Sequence, residues 1–189
     1  MFKLLALDQS ITQTGVAIYD GGPAHRIECY SFASTEKGDD WLTKVDKFGR
    51  SMRKLISAQR PSFIVFEKPM LYVQAYGRKP SRDLAGFAGD EVSSVNANQL
   101  LLPAICGQII QAAICYSIPY EWVAPATWRK VYKGMAKADV KQMARDYCKL
   151  NGISFSNHNE AEAAAIAVWG YAHSQPFKQL RYAPEAING

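Results

Sequence analysis

Two short apolar runs, each ending in an acid, constrain this chain more than any other feature: FKLLALD at 2–8 and SFIVFE at 62–67. Both are short and continuous, which suits buried strands better than helices. Between them, DDWLTKVDKFGRSMRKLISAQR (39–60) sets Trp41, Val45, Phe48, Met52, Leu55 and Ile56 at helical spacing, with Lys and Arg on the other face. Pro61 ends that helix. Strands joined through a long helix pair in parallel. Asp8 and Glu67 then emerge side by side at the carboxyl ends of their strands, where open α/β sheets form ligand sites. Asp8 taken alone has three readings: a turn residue, a phosphate-site residue or a metal ligand.

The rest of the chain fills in around this unit. GVAIYD (15–20), the Asp20–Pro23 turn and HRIECYSFAS (25–34) predict an antiparallel three-stranded meander with the first run. Residues 68–95 read as irregular, and so long an irregular stretch is often functional. NANQLLLPAICGQIIQAAICYS (96–117) is an apolar helix, and PYEWVAP (119–125) is a fifth strand. ATWRKVYKG and KADVKQMARDYCKLNG form two helices around Gly134, and the Ala-rich helix EAEAAAIAVWGYAHS (160–174) can pack closely on a sheet. The expectation is one α/β domain over residues 1–189, with a mixed five-stranded sheet flanked by helices.

Composition narrows the class. A 48% hydrophobic chain of 189 residues builds a core rather than staying disordered. No run approaches the roughly 18 apolar residues of a membrane span, so a cytoplasmic protein is expected, in a bacterium or a phage-infected host cell. The net charge of +5 favours a polyanionic partner. Cys29, Cys106, Cys115 and Cys148 form no CxxC pair, which argues against zinc. Cys106 and Cys115 are expected to be buried thiols of the apolar helix.

A third acid, Glu162, sits in the first turn of the Ala-rich helix. Carboxylates brought together repel one another unless a cation lies between them. Hard oxygen ligands suit Mg²⁺ or Mn²⁺. Three or four such ligands can hold two ions roughly 3.5–4 Å apart, a pair able to activate water and stabilise a leaving oxygen in phosphodiester hydrolysis.

With these residues in view, the sequence resembles the RuvC family of Holliday junction resolvases, within the RNase H-like nuclease superfamily. ALDQSITQTGVAIYD resembles the family's first-strand motif and FIVFEKP its fourth-strand motif. EWVAPATWRKVYKGMAKADVKQMA resembles the stretch in which Pro, Lys, Gly and a later Lys precede the last catalytic helix; here these are Pro125, Lys130, Gly134 and Lys137 or Lys141. NHNEAEAAAIAVW resembles the terminal motif of two acidic or His residues three apart. The resemblance implies an RNase H-like fold, and Asp8, Glu67, Glu162 and Asn159 as catalytic metal ligands. It also implies Mg²⁺ or Mn²⁺ as cofactor and a homodimer that nicks four-way DNA junctions. The chain departs from the family by carrying Glu162 in place of Asp and Asn159 in place of Asp or His; His158 and Glu160 are neighbours able to substitute.

Two basic stretches are candidate DNA contacts. KPMLYVQAYGRKPSR (68–82) contains Lys68, Arg78, Lys79 and Arg82 and no acid, with Tyr72 and Tyr76 interleaved to stack on bases. Residues 128–149 contain Arg129, Lys130, Lys133, Lys137, Lys141, Arg145 and Lys149 against Asp139 and Asp146. Lys130, Lys133 and Lys137 are expected nearest the acids, and Lys137 and Lys141 to share a helical face. The helix at 96–117 is apolar nearly all round, which predicts either full burial or a dimer interface. Two other functions fit parts of the sequence. One is an RNase H-like RNA-processing nuclease or a non-catalytic junction-binding relative. The other, from the hydroxyl-rich loop after Asp8, is an actin-like ATPase or sugar kinase.

Overall fold

The computed structural model describes residues 2–33, 35–36, 38–69, 75–76, 94–95, 97–135 and 139–182, of which 75–76, 94–95 and 97–99 by backbone alone. Strands β1 (Leu4–Asp8), β2 (Gln13–Tyr19) and β3 (Glu28–Ala33) form the expected meander. Helix α1 (Trp41–Gln59) then crosses to β4 (Phe63–Glu67). A two-residue pair, β5 (Ala75–Tyr76) with β6 (Ser94–Val95), precedes α2 (Ala97–Cys115) and β7 (Tyr120–Val123). Helix α3 (Pro125–Trp128) continues into a 3₁₀ turn at Arg129–Tyr132, followed by α4 (Val140–Leu150), α5 (His158–His173) and α6 (Gln175–Tyr182).

The main sheet has the order β3-β2-β1-β4-β7. β1 and β4 are parallel neighbours with Leu7 opposite Phe66, and β7 joins β4 in parallel. The expected mixed five-stranded sheet is present. Helix α1 has clear local causes at both ends. Asp40 accepts from the Thr43 N–H at 2.7 Å, and Arg60 turns left-handed (φ 47°) just before Pro61.

Strand alternation divides the core in two. Leu5, Leu7, Ile64 and Phe66 pack with Phe48, Met52, Ile105 and Ile109 of α1 and α2. Leu4, Ala6, Phe63 and Val65 pack under α5. That helix lies close because its inner face is small: a Cβ on Gly170 would stand 3.0 Å from Val65 and 3.2 Å from Leu4. Each fully buried leucine or phenylalanine in these layers contributes on the order of 1.5–3 kcal/mol.

Several boundaries differ from the sequence expectations. β3 begins at Glu28 rather than 25, because residues 24–26 coil into a 3₁₀ turn closed by Arg26 N–H to Pro23 O at 2.9 Å. α4 begins at Val140, capped by Asp139, which accepts from the Lys141 and Gln142 N–H groups. α5 begins at His158, capped by Asn157, so Glu162 stands in its second turn rather than its first. α2 continues through Pro103 and is not buried all round. Leu101, Ile105, Ile109 and Ala112 face the sheet, whereas Leu100 and Ile114 are 50% and 63% exposed. Cys115 lies on that outer face and is exposed, contrary to expectation, while Cys106 is buried. None of the described helices is long and apolar enough to cross a membrane.

Candidate metal centre

The pleat decides where the acids point. Leu4, Ala6 and Asp8 share one face of β1, and Phe63, Val65 and Glu67 the same face of β4. Both acids therefore project from adjacent strand ends into the α5 layer. Glu162, 9% exposed, comes down onto them from α5. The helix gets there because residue 15 has no side chain. Gly15 pairs with Asp8 across β1 and β2, and a Cβ on it would overlap the carbonyl of Asn159. Asn159 then secures the approach, its Nδ2 donating to the Gln13 carbonyl at 2.6 Å. That bond uses one of the two Nδ2 hydrogens and fixes the side-chain amide, whose Oδ1 is an acceptor.

The cluster carries its electrostatic signature. Loss of hydration holds Asp8 well above its ordinary value of 3.8, and the charges of Glu162 and then Glu67, with the hydrogen bond between the Asp8 and Glu162 carboxyls, add to the rise. Arg129 pulls Asp8 partly back. Glu67 is also raised by burial; a hydrogen bond from Trp128 and the charge of Arg129 oppose the rise, while Glu162 reinforces it. Trp128 Nε1 donates to Glu67 Oε2 at 2.8 Å. Gln9 Nε2 donates to the Glu67 carbonyl and lies 3.4 Å from Cys106 Sγ, which ties the β1–β2 loop to β4 and α2.

The structure thus brings Asp8, Glu67 and Glu162 together, with Asn159 one turn before Glu162. His158, half-buried at the first position of α5, shares the Glu162 face at i−4. Glu160 is committed elsewhere. Its carboxylate accepts from Ser31 Oγ and Asn157 Nδ2, each at 2.8 Å, and from the Ser156 N–H at 2.7 Å. It braces α5 against β3 and cannot stand in as a ligand.

Of the expected DNA contacts, Lys130, Lys133 and Lys141 are exposed. Tyr72, Arg78, Lys79, Arg82 and Lys137 lie outside the described residues, as does the Tyr76 side chain. Lys68 turns away from the acids and sits 5.4 Å over the Trp122 ring. The cation that acts on Asp8 and Glu67 is instead Arg129, which stacks 5.1 Å over Trp128. Trp128 and Tyr132 are site residues that the sequence did not single out, and Arg129 stood there only as one cation of the basic 128–149 stretch. Their spacing within TWRKVY carried a faint signal, since residues 128 and 132 are one turn apart.

Among the described residues, no three His, Cys, Asp or Glu side chains close into a ready-made ligand cage. An open arrangement of oxygen donors on separate elements suits Mg²⁺, which keeps several waters and takes one or two carboxylates plus substrate phosphates. The donor set is hard and anionic, with Arg129 the one cation acting on it among the described residues, so it fits such an ion.

No family model matches the chain, and neither does any curated protein. Solved structures do. RuvC of Thermus thermophilus in complex with a Holliday junction substrate superposes with a TM-score of 0.59 at 15% identity, covering 89% of this chain and 91% of that one. A second Thermus thermophilus RuvC structure gives 0.58 at 19% identity, over 88% and 92%. The yeast mitochondrial Holliday junction resolvase Ydc2 gives 0.55 at 16% identity, over 87% and 75%. The chain has the RNase H-like fold of these resolvase structures.

Proposed function

We propose that the protein is a metal-dependent, structure-selective DNA endonuclease that resolves four-way junctions. One observation carries the reading: three elements deliver Asp8, Glu67 and Glu162 to one face of the sheet, where burial and the charges of Glu162 and Glu67 raise the Asp8 pKa. The likeness in fold to a RuvC solved with a Holliday junction supports the choice of substrate.

The chain's residues divide the work. Asp8, Glu67 and Glu162 would hold the metal, with Asn159 as a neutral fourth donor. Bound Mg²⁺ or Mn²⁺ would activate water and stabilise charge at the leaving oxygen. Trp128 fixes the rotamer of Glu67. Arg129, with a buried Nε lacking any partner among the described residues, is placed to meet a phosphate. Exposed Lys130, Lys133 and Lys141 supply positive charge for the flanking DNA backbone. The products are a 5′-phosphate and a 3′-hydroxyl, and two sites in a homodimer cut two strands.

The test is cleavage of a synthetic four-way junction beside linear duplex, flap and RNA controls, in Mg²⁺ and in Mn²⁺. The expected result is junction cleavage that Asp8→Asn lowers at least about a hundredfold while junction binding persists. Wild-type cleavage by that variant overturns the assignment. Tight junction binding with no cutting in either metal favours the non-catalytic reading, and cleavage confined to RNA the RNA-processing one.

A further inference from the structure

The segment that holds Glu67 also places a second polar side chain against the cluster. Tyr132 is 3% exposed, yet its hydroxyl has no hydrogen-bond partner among the described residues. A buried hydroxyl left unpaired is costly and calls for an explanation. Tyr132 stands one turn after Trp128, their rings edge to face at 5.8 Å and 82°. The Tyr147 ring closes its other side at 5.6 Å. Packing of this kind leaves the ring little freedom. The phenol sits in the core layer beneath α5 with Ala161 and Cys148. After burial, the charge it feels most is Glu162, ahead of Cys148, Arg129 and Asp8.

We propose that Tyr132 is a positioning residue of the carboxylate cluster, its hydroxyl being the donor that orients Glu162 when the site holds its cation. The inference rests on the metal-binding reading above. A carboxylate offers oxygen lone pairs in more than one direction. One oxygen serves the cation; the other needs a donor. Trp128 plays that part for Glu67. Tyr132, from the same 125–132 segment, plays it for Glu162. The two strand and helix acids are thus aimed by two aromatic donors one turn apart.

The experiment is Mn²⁺ titration by calorimetry of wild type, Asp8→Asn, Tyr132→Phe and Tyr147→Phe, with melting curves of each metal-free protein. Tyr132→Phe removes one oxygen and should melt no lower than wild type, while its Mn²⁺ affinity falls about tenfold or more, as for other outer partners of metal ligands. Tyr147→Phe should bind Mn²⁺ like wild type. In wild type carrying ¹³Cζ-tyrosine, the Tyr132 signal should shift when Mg²⁺ is added. Wild-type Mn²⁺ affinity in Tyr132→Phe, or an unmoved Tyr132 signal in a protein that binds the metal, overturns the role of Tyr132 alone. A wild type that binds neither ion overturns the metal reading and this inference with it.

Discussion

At the scale of single residues, the site works through pKa. The folded protein holds the Asp8 carboxyl above its ordinary 3.8, so it keeps a proton that the unfolded chain releases. Stability of the metal-free protein therefore falls as pH rises from 3.8 through the raised value, and the loss is complete above it. Asp8→Asn should flatten that dependence and unfold at higher urea than wild type at pH near 8, with little difference at pH near 4; parallel urea titrations check it. Metal affinity should move the opposite way, strengthening with pH as the proton leaves. Trp128→Phe removes the donor to Glu67 Oε2. A hydrogen bond to a charged group contributes about 1.5–3 kcal/mol, so Glu67 should become harder to ionise. The acid limb of the pH–rate profile should move to higher pH, which a packing defect alone would not cause.

At the scale of elements, the decisive contact is α5 on β2. The first turn of α5 is set by its Asn157 cap, the Glu160 brace to Ser31 and the Asn159 latch to Gln13. Gly15 permits all three by leaving room for the Asn159 backbone. Gly15→Ala should therefore push α5 outward and carry Glu162 with it. The expected cost is about 1–3 kcal/mol of stability, as for other overpacked contacts, with cleavage lost beyond what the remaining folded fraction explains. Thermal unfolding together with activity per folded molecule tests this. Asn159→Ala removes the latch without the clash, and should cost less stability but still loosen the site.

At the scale of the whole molecule, Lys130, Lys133, Lys141 and Lys149 of the 128–149 stretch are exposed, so DNA affinity should fall linearly with the logarithm of salt concentration. Lys133→Ala and Lys141→Ala should each weaken junction binding uniformly and reduce that slope by about one unit, measured by fluorescence anisotropy. Much of this protein was legible before any coordinates. Two apolar runs ending in acids, with an amphipathic helix between them, determine parallel β1 and β4 with Asp8 and Glu67 side by side, because strand and helix periodicities are local properties. The Ala-rich helix identified Glu162 as the third acid for the same reason. Local pattern could not show that Cys115 and Leu100 face outward, since α2 is apolar on every side and only its partners select the buried face. Nor could it show that the Glu160 carboxylate is taken up by Ser31, Asn157 and the Ser156 N–H. The tertiary structure decided that, along with the roles of Trp128, Arg129 and Tyr132. Their chemistry arises only when residues far apart in sequence share one water-poor space.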